Sequence, residues 1–259
     1  MELSTIALFI GGAILLYFSL KLLIIALIVA GIYYGLKYTE HFNQIRFLTK
    51  AQTQELIRED RDKYISSMSI VDLYARRVDT PEQYMEKASA QAMDFTKSEK
   101  DRITILVNNI KYVDLKRFGI DMKKWNEIPY IFAKCNYEDQ YPHTRNDVII
   151  LNDRTINRSD DELLNTIVHE KVHVYQKMYP NDILLYLTRV GYKKVGEKSM
   201  YPLARSNPDI DNNIYMGPNG KIHVGEYNSS TPRDIWDINT TSEGEHPLEL
   251  MAYTIANMH

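Results

Sequence analysis

The sequence predicts an α+β protein with an N-terminal transmembrane helix, a helical region, and a last domain with a small sheet beside one long helix. Two apolar patterns support this order: a long, mostly apolar run from Ile6 to Tyr34, and helix-type spacing from Tyr38 to about Gly119. Short apolar runs that are typical of strands follow in the second half of the chain. The predicted divisions are an anchor at 1–38, a helical subdomain at 39–124 and a mixed domain at 125–259.

Length and composition limit the classes of protein that fit. The 259 residues are enough for one domain with a sizeable core and an appendage. The formal net charge is -3, so no basic field predicts a nucleic-acid partner. Cys135 is the only cysteine, which excludes an intrachain disulfide and favours a reducing compartment.

The N-terminal run predicts a membrane anchor. Apart from tyrosines, only Ser19 and Lys21 interrupt it. At about 1.5 Å per residue it is long enough to cross a hydrocarbon core of ~30 Å, and the absence of a basic leading segment argues against a signal peptide. We therefore expect the membrane to be a partner through residues 6–38, as one tilted span. The alternative is a hairpin that turns near Ser19.

The basic residues around this run predict its orientation. Lys37, Arg46 and Lys50 follow the run, whereas no Lys or Arg precedes it. The positive-inside rule then places the large C-terminal domain on the cytoplasmic side. The protein is therefore predicted to be a single-pass membrane protein. A virion membrane is among the membranes that fit.

The region from 39 to 124 reads as four helices with polar outer faces. Thr80 and Pro81 form a helix start, with proline at the first helical position. We expect this subdomain to pack against the C-terminal domain, and the alternative is a stalk that binds protein partners. The predicted helices are Ala51–Tyr64, Ser67–Arg77, Thr80–Phe95 and Ser98–Leu115.

Two short strands are predicted next, at Ile128–Ala133 and Val148–Leu151. An exposed edge of the second strand would allow an extended peptide to pair with it, and the alternative for each strand is an ordinary core strand. A helix over Asp182–Lys194 and a hairpin turning at 217–220 follow. In the segment between them, Arg205, Asn207 and Asp209 are candidates for lining a cleft, and the alternative is an ordinary turn at Asn-Pro-Asp.

The strongest functional signal is the pattern H-E-x-x-H at 169–173, within a helix predicted over Leu163–Tyr179. Residues 159–162 predict a capping box before this helix, and Pro180 stops it. The two histidines are four residues apart, so both project from one face. The alternative is a solvated helix that carries two histidines by chance.

This spacing suits a catalytic zinc ion. His169 and His173 can bind one Zn²⁺ at about 2.0–2.1 Å. Glu170 lies beside the first ligand, where it would take a proton from zinc-activated water and pass it to the leaving amine. Lys171 falls within the apolar arc of the helix, so we expect its ammonium group to reach out to an edge of the domain.

A catalytic zinc needs a third protein ligand, and Glu249 is the best candidate because Pro247 starts a helix just before it. Tyr253 shares the face of Glu249. Either Tyr253 or His246 would donate a hydrogen bond to the developing oxyanion. The alternative ligands are Glu243, Glu245, His246 and His259.

These motifs resemble those of the gluzincin metallopeptidases, in which a glutamate on a later helix joins the H-E-x-x-H helix. The segments VHEKVHVYQ (168–176), RSNPD (205–209) and HPLELMAY (246–253) are similar to predicted zinc peptidases of large DNA viruses, some of them membrane-anchored. The resemblance implies a zincin-like domain over 125–259, with a small sheet beside the site helix. It also implies that His169, His173 and Glu249 bind Zn²⁺ and that Glu170 is the catalytic base.

Two functions are therefore expected. The first is a membrane-anchored zinc-dependent metallopeptidase that hydrolyses peptide or protein substrates with Glu170 as general base. The alternative is a catalytically weak or inactive structural or scaffolding membrane protein with a zincin fold, in which the zinc is absent or held in a closed site, for instance by His246 or His259. A weaker third expectation is a hydrolase of non-peptide amides.

Overall fold

The computed structural model describes residues 20–32, 45–110, 115–239 and 245–258. The chain divides into two units, Met1–Gln44 and Ile45–His259. In the first unit, residues 20–32 form helix α1. The helices of the second unit are α2 (Lys50–Glu59), α3 (Ile70–Ala75), α4 (Pro81–Ala90), α5 (Lys97–Asn108), α6 (Met122–Glu127), α7 (Asp153–Ile156), α8 (Asp160–Met178), α9 (Pro180–Arg189) and α10 (Pro247–Ala256). Its strands are β1 (Ile45–Phe47), β2 (Ala92–Met93), β3 (Tyr130–Cys135), β4 (His143–Arg145), β5 (Val148–Leu151), β6 (Lys193–Glu197), β7 (Asn213–Met216), β8 (Ile222–His223), β9 (Glu226–Tyr227) and β10 (Ile238–Asn239).

The predicted fold class and localisation need correction at the N-terminus. Among the described residues, no helix combines the length and the apolar character that a membrane crossing requires. Of the predicted anchor, only residues 20–32 are described; the rest of 1–38 lies outside the described residues. The transmembrane helix, the single-pass localisation and the cytoplasmic orientation were therefore wrong predictions. The described fold is mixed α/β, with many helices and small sheets.

The largest sheet has β3 at its centre. Its strand order is β1-β3-β5-β4, and β2 pairs with β3 outside this path. β1 and β5 run parallel to β3, whereas β2 and β4 are antiparallel to their neighbours. All six residues of β3 are buried, as expected for a strand covered on both faces. β5 has the predicted bounds, but its two edges are occupied by β3 and β4, so it is not a free edge for a peptide.

The region predicted as purely helical contributes two strands to this sheet. β1 and β2 are three and two residues long, which is too short for an alternating pattern to appear in the sequence. Its helices are also shorter than predicted. Thr49, Ser69 and Thr96 each form a capping box, which fixes the first residues of α2, α3 and α5.

Helix α8 lies in the core between the sheet and α10. The predicted capping box is confirmed: the Ser159 side chain accepts from the Glu162 backbone, and the Glu162 side chain accepts from Ser159. The helix ends at Met178, just before Pro180, as predicted. It packs against α10, β4 and β5. Both α10 and the sheet can therefore place side chains beside the face of α8 that carries His169 and His173.

The sequence predicted that Lys171 reaches out to an edge of the domain. The structure contradicts this, because Lys171 is buried. Its Nζ lies 3.8 Å from the ring centroid of Tyr130 and 5.0 Å from that of Trp125. It also donates a hydrogen bond of 3.3 Å to the carbonyl of Ile128. Burial lowers the pKa of Lys171 to about 7, and the two aromatic faces stabilise its charged form.

The segment after α8 also differs in its bounds. α9 ends at Arg189, because Gly191 adopts a left-handed conformation with φ +93° and the chain turns into β6. The predicted hairpin is confirmed as β7 and β8. Its turn is closed by a hydrogen bond from Gly220 N to Gly217 O at 2.9 Å.

Candidate metal centre

Three potential metal ligands converge between α8 and α10. His169 Nε2 and His173 Nε2 are 3.0 Å apart. They lie 3.2 and 3.4 Å, respectively, from Glu249 Oε2. All three residues are buried, and each offers one donor atom to a shared point. The structure thus brings together the three ligands that the sequence predicted, and this group can hold a metal ion.

Local structure explains the convergence. The histidines lie one turn apart on α8. On α10, His246 caps the helix and Pro247 occupies the first position, so Glu249 falls in the first turn. Ala252, one turn later, is fully buried against the core, and its small side chain allows the two helices to approach closely.

The donor geometry fits a tetrahedral metal. Zinc bonded at about 2.0–2.1 Å with tetrahedral angles requires its donors to be about 3.3 Å apart, and the three observed distances bracket this value. Glu249 Oε2 is buried and accepts no hydrogen bond from any described residue. Its nearest neighbours are the two imidazole nitrogens, at ion-pair distance, and a cation placed among the three atoms would satisfy this buried oxygen. Two imidazole nitrogens and one carboxylate oxygen form a donor set typical of catalytic zinc.

Gln176 fixes the tautomer of His173. The Gln176 amide nitrogen donates to the Leu248 carbonyl at 3.0 Å, so the amide oxygen must face His173. This oxygen lies 2.7 Å from His173 Nδ1, which therefore carries the proton. The lone pair of Nε2 is left for a metal. Gln176 also ties α8 to the first turn of α10.

Asn207 and Asp209 lie behind the ligands and are not among the residues that line the cleft. Asn207 Nδ2 donates to Glu249 Oε1 at 2.5 Å, and its Oδ1 accepts from Asp209 N at 2.9 Å. The other oxygen of Glu249 is thereby turned towards the histidines. The backbone nitrogen of Arg205 pairs with Gly225 O, and Arg205 is also absent from the cleft lining. Of the two interpretations of this segment, the one in which all three residues line the cleft over His169 is therefore not supported.

Glu170 is buried beside the ligands. Thr144 Oγ1 lies 2.9 Å from Glu170 Oε2 and 3.1 Å from its carbonyl oxygen. Burial and the nearby Asp209 carboxylate raise the pKa of Glu170 well above its usual value. Asp209 Oδ1 accepts from Thr144 N at 2.5 Å. Strand β4 therefore positions both the glutamate and the acid behind it.

The edge of β4 is not free at its centre. The backbone nitrogen of Thr144 is bonded to Asp209, and its carbonyl accepts from Lys177 Nζ at 3.0 Å. Lys177 Nζ also contacts the Pro208 carbonyl. Side chains thus occupy the hydrogen-bonding positions that an added peptide strand would use at this residue.

A cleft with a volume of about 500 Å³ opens over His169 and Glu170. Tyr253 lines it with its ring centroid 4.5 Å from that of His169 and is 46% exposed. Tyr141 and Trp236 form an aromatic pair on the cleft wall, with ring centroids 5.1 Å apart. Substrate can therefore approach the convergent ligands from this side.

His246 is not placed as an oxyanion donor. Its Nδ1 accepts from Leu248 N at 3.4 Å, and its Nε2 donates to the Asn213 carbonyl at 3.1 Å. Both ring nitrogens are thus used to cap α10 and to anchor it to β7. Among the other predicted ligands, Glu245 accepts from His223 through its backbone, while Glu243 and His259 lie outside the described residues.

Sequence reasoning missed the residues that support the ligands. Gln176 is three residues after His173 on the same face, and this spacing was a usable signal. Thr144, Tyr141 and Trp236 come from distant segments, and no local pattern connects them to the site. Comparison of the chain with protein family models, curated proteins and solved structures finds no match.

Proposed function

We propose that this protein is a zinc-dependent metallopeptidase of the gluzincin type, which hydrolyses peptide bonds with Glu170 as general base. The observation that carries this proposal is the convergence of two imidazole nitrogens and an unpartnered carboxylate oxygen beside a buried glutamate. Of these groups, His169 and Glu170 line a cleft large enough for several residues of a peptide.

His169, His173 and Glu249 would hold the metal. A divalent zinc ion, when bound, supplies Lewis-acid chemistry: it lowers the pKa of water and polarises a carbonyl oxygen. The roles of Gln176 and Asn207 are to fix the orientation of His173 and of Glu249 before any metal arrives. This preorganisation supports a site that binds tightly and in one geometry.

Glu170 moves the proton. Thr144 holds Glu170 Oε2, so the carboxylate is oriented before substrate binds. In the proposed reaction this carboxylate takes a proton from the attacking water and gives it to the leaving amine. The Tyr253 hydroxyl, at the cleft face of His169, donates a hydrogen bond to the substrate oxygen as negative charge develops there.

A closed structural metal site is the alternative, and it needs a fourth protein ligand. Within the described residues, the group of potential ligands contains three members. His246, the candidate for closing the site, directs both ring nitrogens to backbone groups. The geometry of the described residues therefore favours the hydrolase.

The test combines metal content with peptide cleavage by wild type and Glu170→Gln. We expect about one zinc per chain in both proteins. Loss of the general base should lower kcat by about 10²–10⁴-fold. Equal activity in the two proteins would end the peptidase proposal. Tight zinc binding without cleavage by the wild type would favour the structural alternative.

A further inference from the structure

The cleft extends from the metal centre towards the N-terminus of α8. The α8 residues that line it run from Glu170 and His169 back to Glu162. His169 follows Glu162 by seven positions on the helix, which is a rise of about 10 Å. An extended peptide advances about 3.3 Å per residue, so this outer end lies about three residues from the reacting bond.

Two arginines line this outer end. Arg154 lies on α7 and is exposed, and Arg158 directly precedes the N-cap of α8 and is half-buried. Within the described residues, neither guanidinium has a carboxylate within ion-pair distance, whereas Arg76, Arg102 and Arg145 each do. The positive charges of the two cleft arginines are therefore available to a ligand.

Glu162, which also lines this part of the cleft, already serves in the cap of α8. Glu162 Oε2 accepts from both Ser159 Oγ, at 2.7 Å, and Ser159 N, at 3.2 Å. The pKa of Glu162 is held below its usual value first by Ser159 and more weakly by Arg158. Because this carboxylate serves as part of the helix cap, the guanidinium groups of Arg154 and Arg158 remain available for bidentate hydrogen bonds.

We propose that Arg154 and Arg158 bind a carboxylate of the peptide substrate, so that the protein selects peptides with an acidic group about three residues from the cleaved bond. This inference rests on the proposed peptidase function. The guanidinium fork matches a carboxylate in shape and charge. The carboxylate comes either from an Asp or Glu side chain or from the C-terminus of a short peptide.

The experiment uses quenched-fluorescent peptides in which each position carries Glu or Gln in turn, with free or amidated C-termini. For the wild type we expect kcat/KM to be about tenfold higher for the preferred acidic peptide than for its neutral partner. In the double variant Arg154→Gln/Arg158→Gln this ratio should fall to about one. The control Arg61→Gln removes a surface arginine paired with Glu59, and it should keep the wild-type ratio.

The same peptides are then titrated onto zinc-loaded Glu170→Gln protein by fluorescence anisotropy, which reports binding without turnover. A Glu preference assigns the carboxylate to a side chain, and a preference for the free over the amidated terminus assigns it to the C-terminus. Equal affinity for acidic and neutral peptides would overturn the proposal, as would a preference that survives the double variant. If acidic peptides bind better but the wild type cleaves none, the peptidase proposal fails while the carboxylate site stands.

Discussion

Two buried polar clusters in the same unit differ in how completely their charges are satisfied. In the first, Glu138 accepts from Arg76 at 2.5 Å, from Tyr84 at 2.7 Å and from Tyr64. Asp72 accepts from Ser206 N at 2.7 Å and Lys198 Nζ at 2.9 Å. The second cluster is the metal centre, where Glu249 Oε2 and Asp209 Oδ2 accept no hydrogen bond from described residues.

The difference separates a structural role from a ligand-binding role. Buried carboxylates that hold the fold together are fully hydrogen-bonded, because each unmet oxygen costs stability. Burial would raise the pKa of Glu138 and Asp72, yet their cationic and hydrogen-bonding partners lower both to about 2. At the metal centre the unmet oxygen faces two imidazole nitrogens, an arrangement that a cation would complete.

The largest expected effect is on metal affinity. Glu249→Gln removes the charged ligand, and with it part of the binding free energy that the three ligands supply together. We therefore expect zinc affinity to fall on the order of 10³-fold. Competition with a fluorescent chelator measures it. Glu138→Gln is the matched control, since it changes an equally buried glutamate outside the ligand group. If both variants lose zinc equally, the distinction between the two clusters fails.

The reverse comparison concerns folding stability without metal. Glu138→Gln leaves the buried Arg76 without its closest charge partner, so we expect a loss of about 3–5 kcal/mol in the free energy of unfolding. Urea denaturation in the presence of a chelator measures it. We expect Glu249→Gln to lose less, because the ion-pair partners of Glu249 are the imidazoles of His169 and His173, which can become neutral, whereas the guanidinium of Arg76 cannot. A larger loss for Glu249→Gln would contradict this assignment.

Acid should destabilise the cluster that contains Glu138 over a defined pH range. The folded-state pKa of Glu138 is lowered from 4.5 to about 2. Its contribution is therefore present above pH 4.5 and is lost as the pH falls from there towards 2, and it amounts to about 3 kcal/mol. Unfolding of the chelator-treated wild type, followed from pH 6 to 2, should show this loss. Glu138→Gln should have a shallower dependence, and an equal slope would contradict the expectation.

The smallest effect concerns a residue that acts through His173. Gln176→Leu removes the acceptor for His173 Nδ1, so the ring is no longer held in one tautomer and orientation. We expect zinc affinity to fall about 10–100-fold, as measured by chelator competition. Gln54→Leu, which removes an amide bonded to Ser89 O on a different helix, is the control. Equal affinity of the two variants would show that Gln176 does not position His173.

The sequence predicted the ligands because their signals are local. The spacing of His169 and His173, the capping box at Ser159 and the helix start at Pro247 each depend on residues within one or two turns. Thr144 and Asn207 act across the fold, and only the packing of β4 and the 205–209 segment against α8 and α10 places them. The apolar run at the N-terminus predicted a membrane helix from hydropathy alone, and the described residues do not support it.

Anomalous diffraction at the zinc absorption edge, from crystals of the zinc-loaded full chain, tests the central claim most directly. We expect one strong peak within about 2.0–2.2 Å of His169 Nε2, His173 Nε2 and a Glu249 oxygen, with no fourth protein ligand. A peak elsewhere, a closed fourth position, or a Glu249 carboxylate several ångströms from the ion would contradict the account.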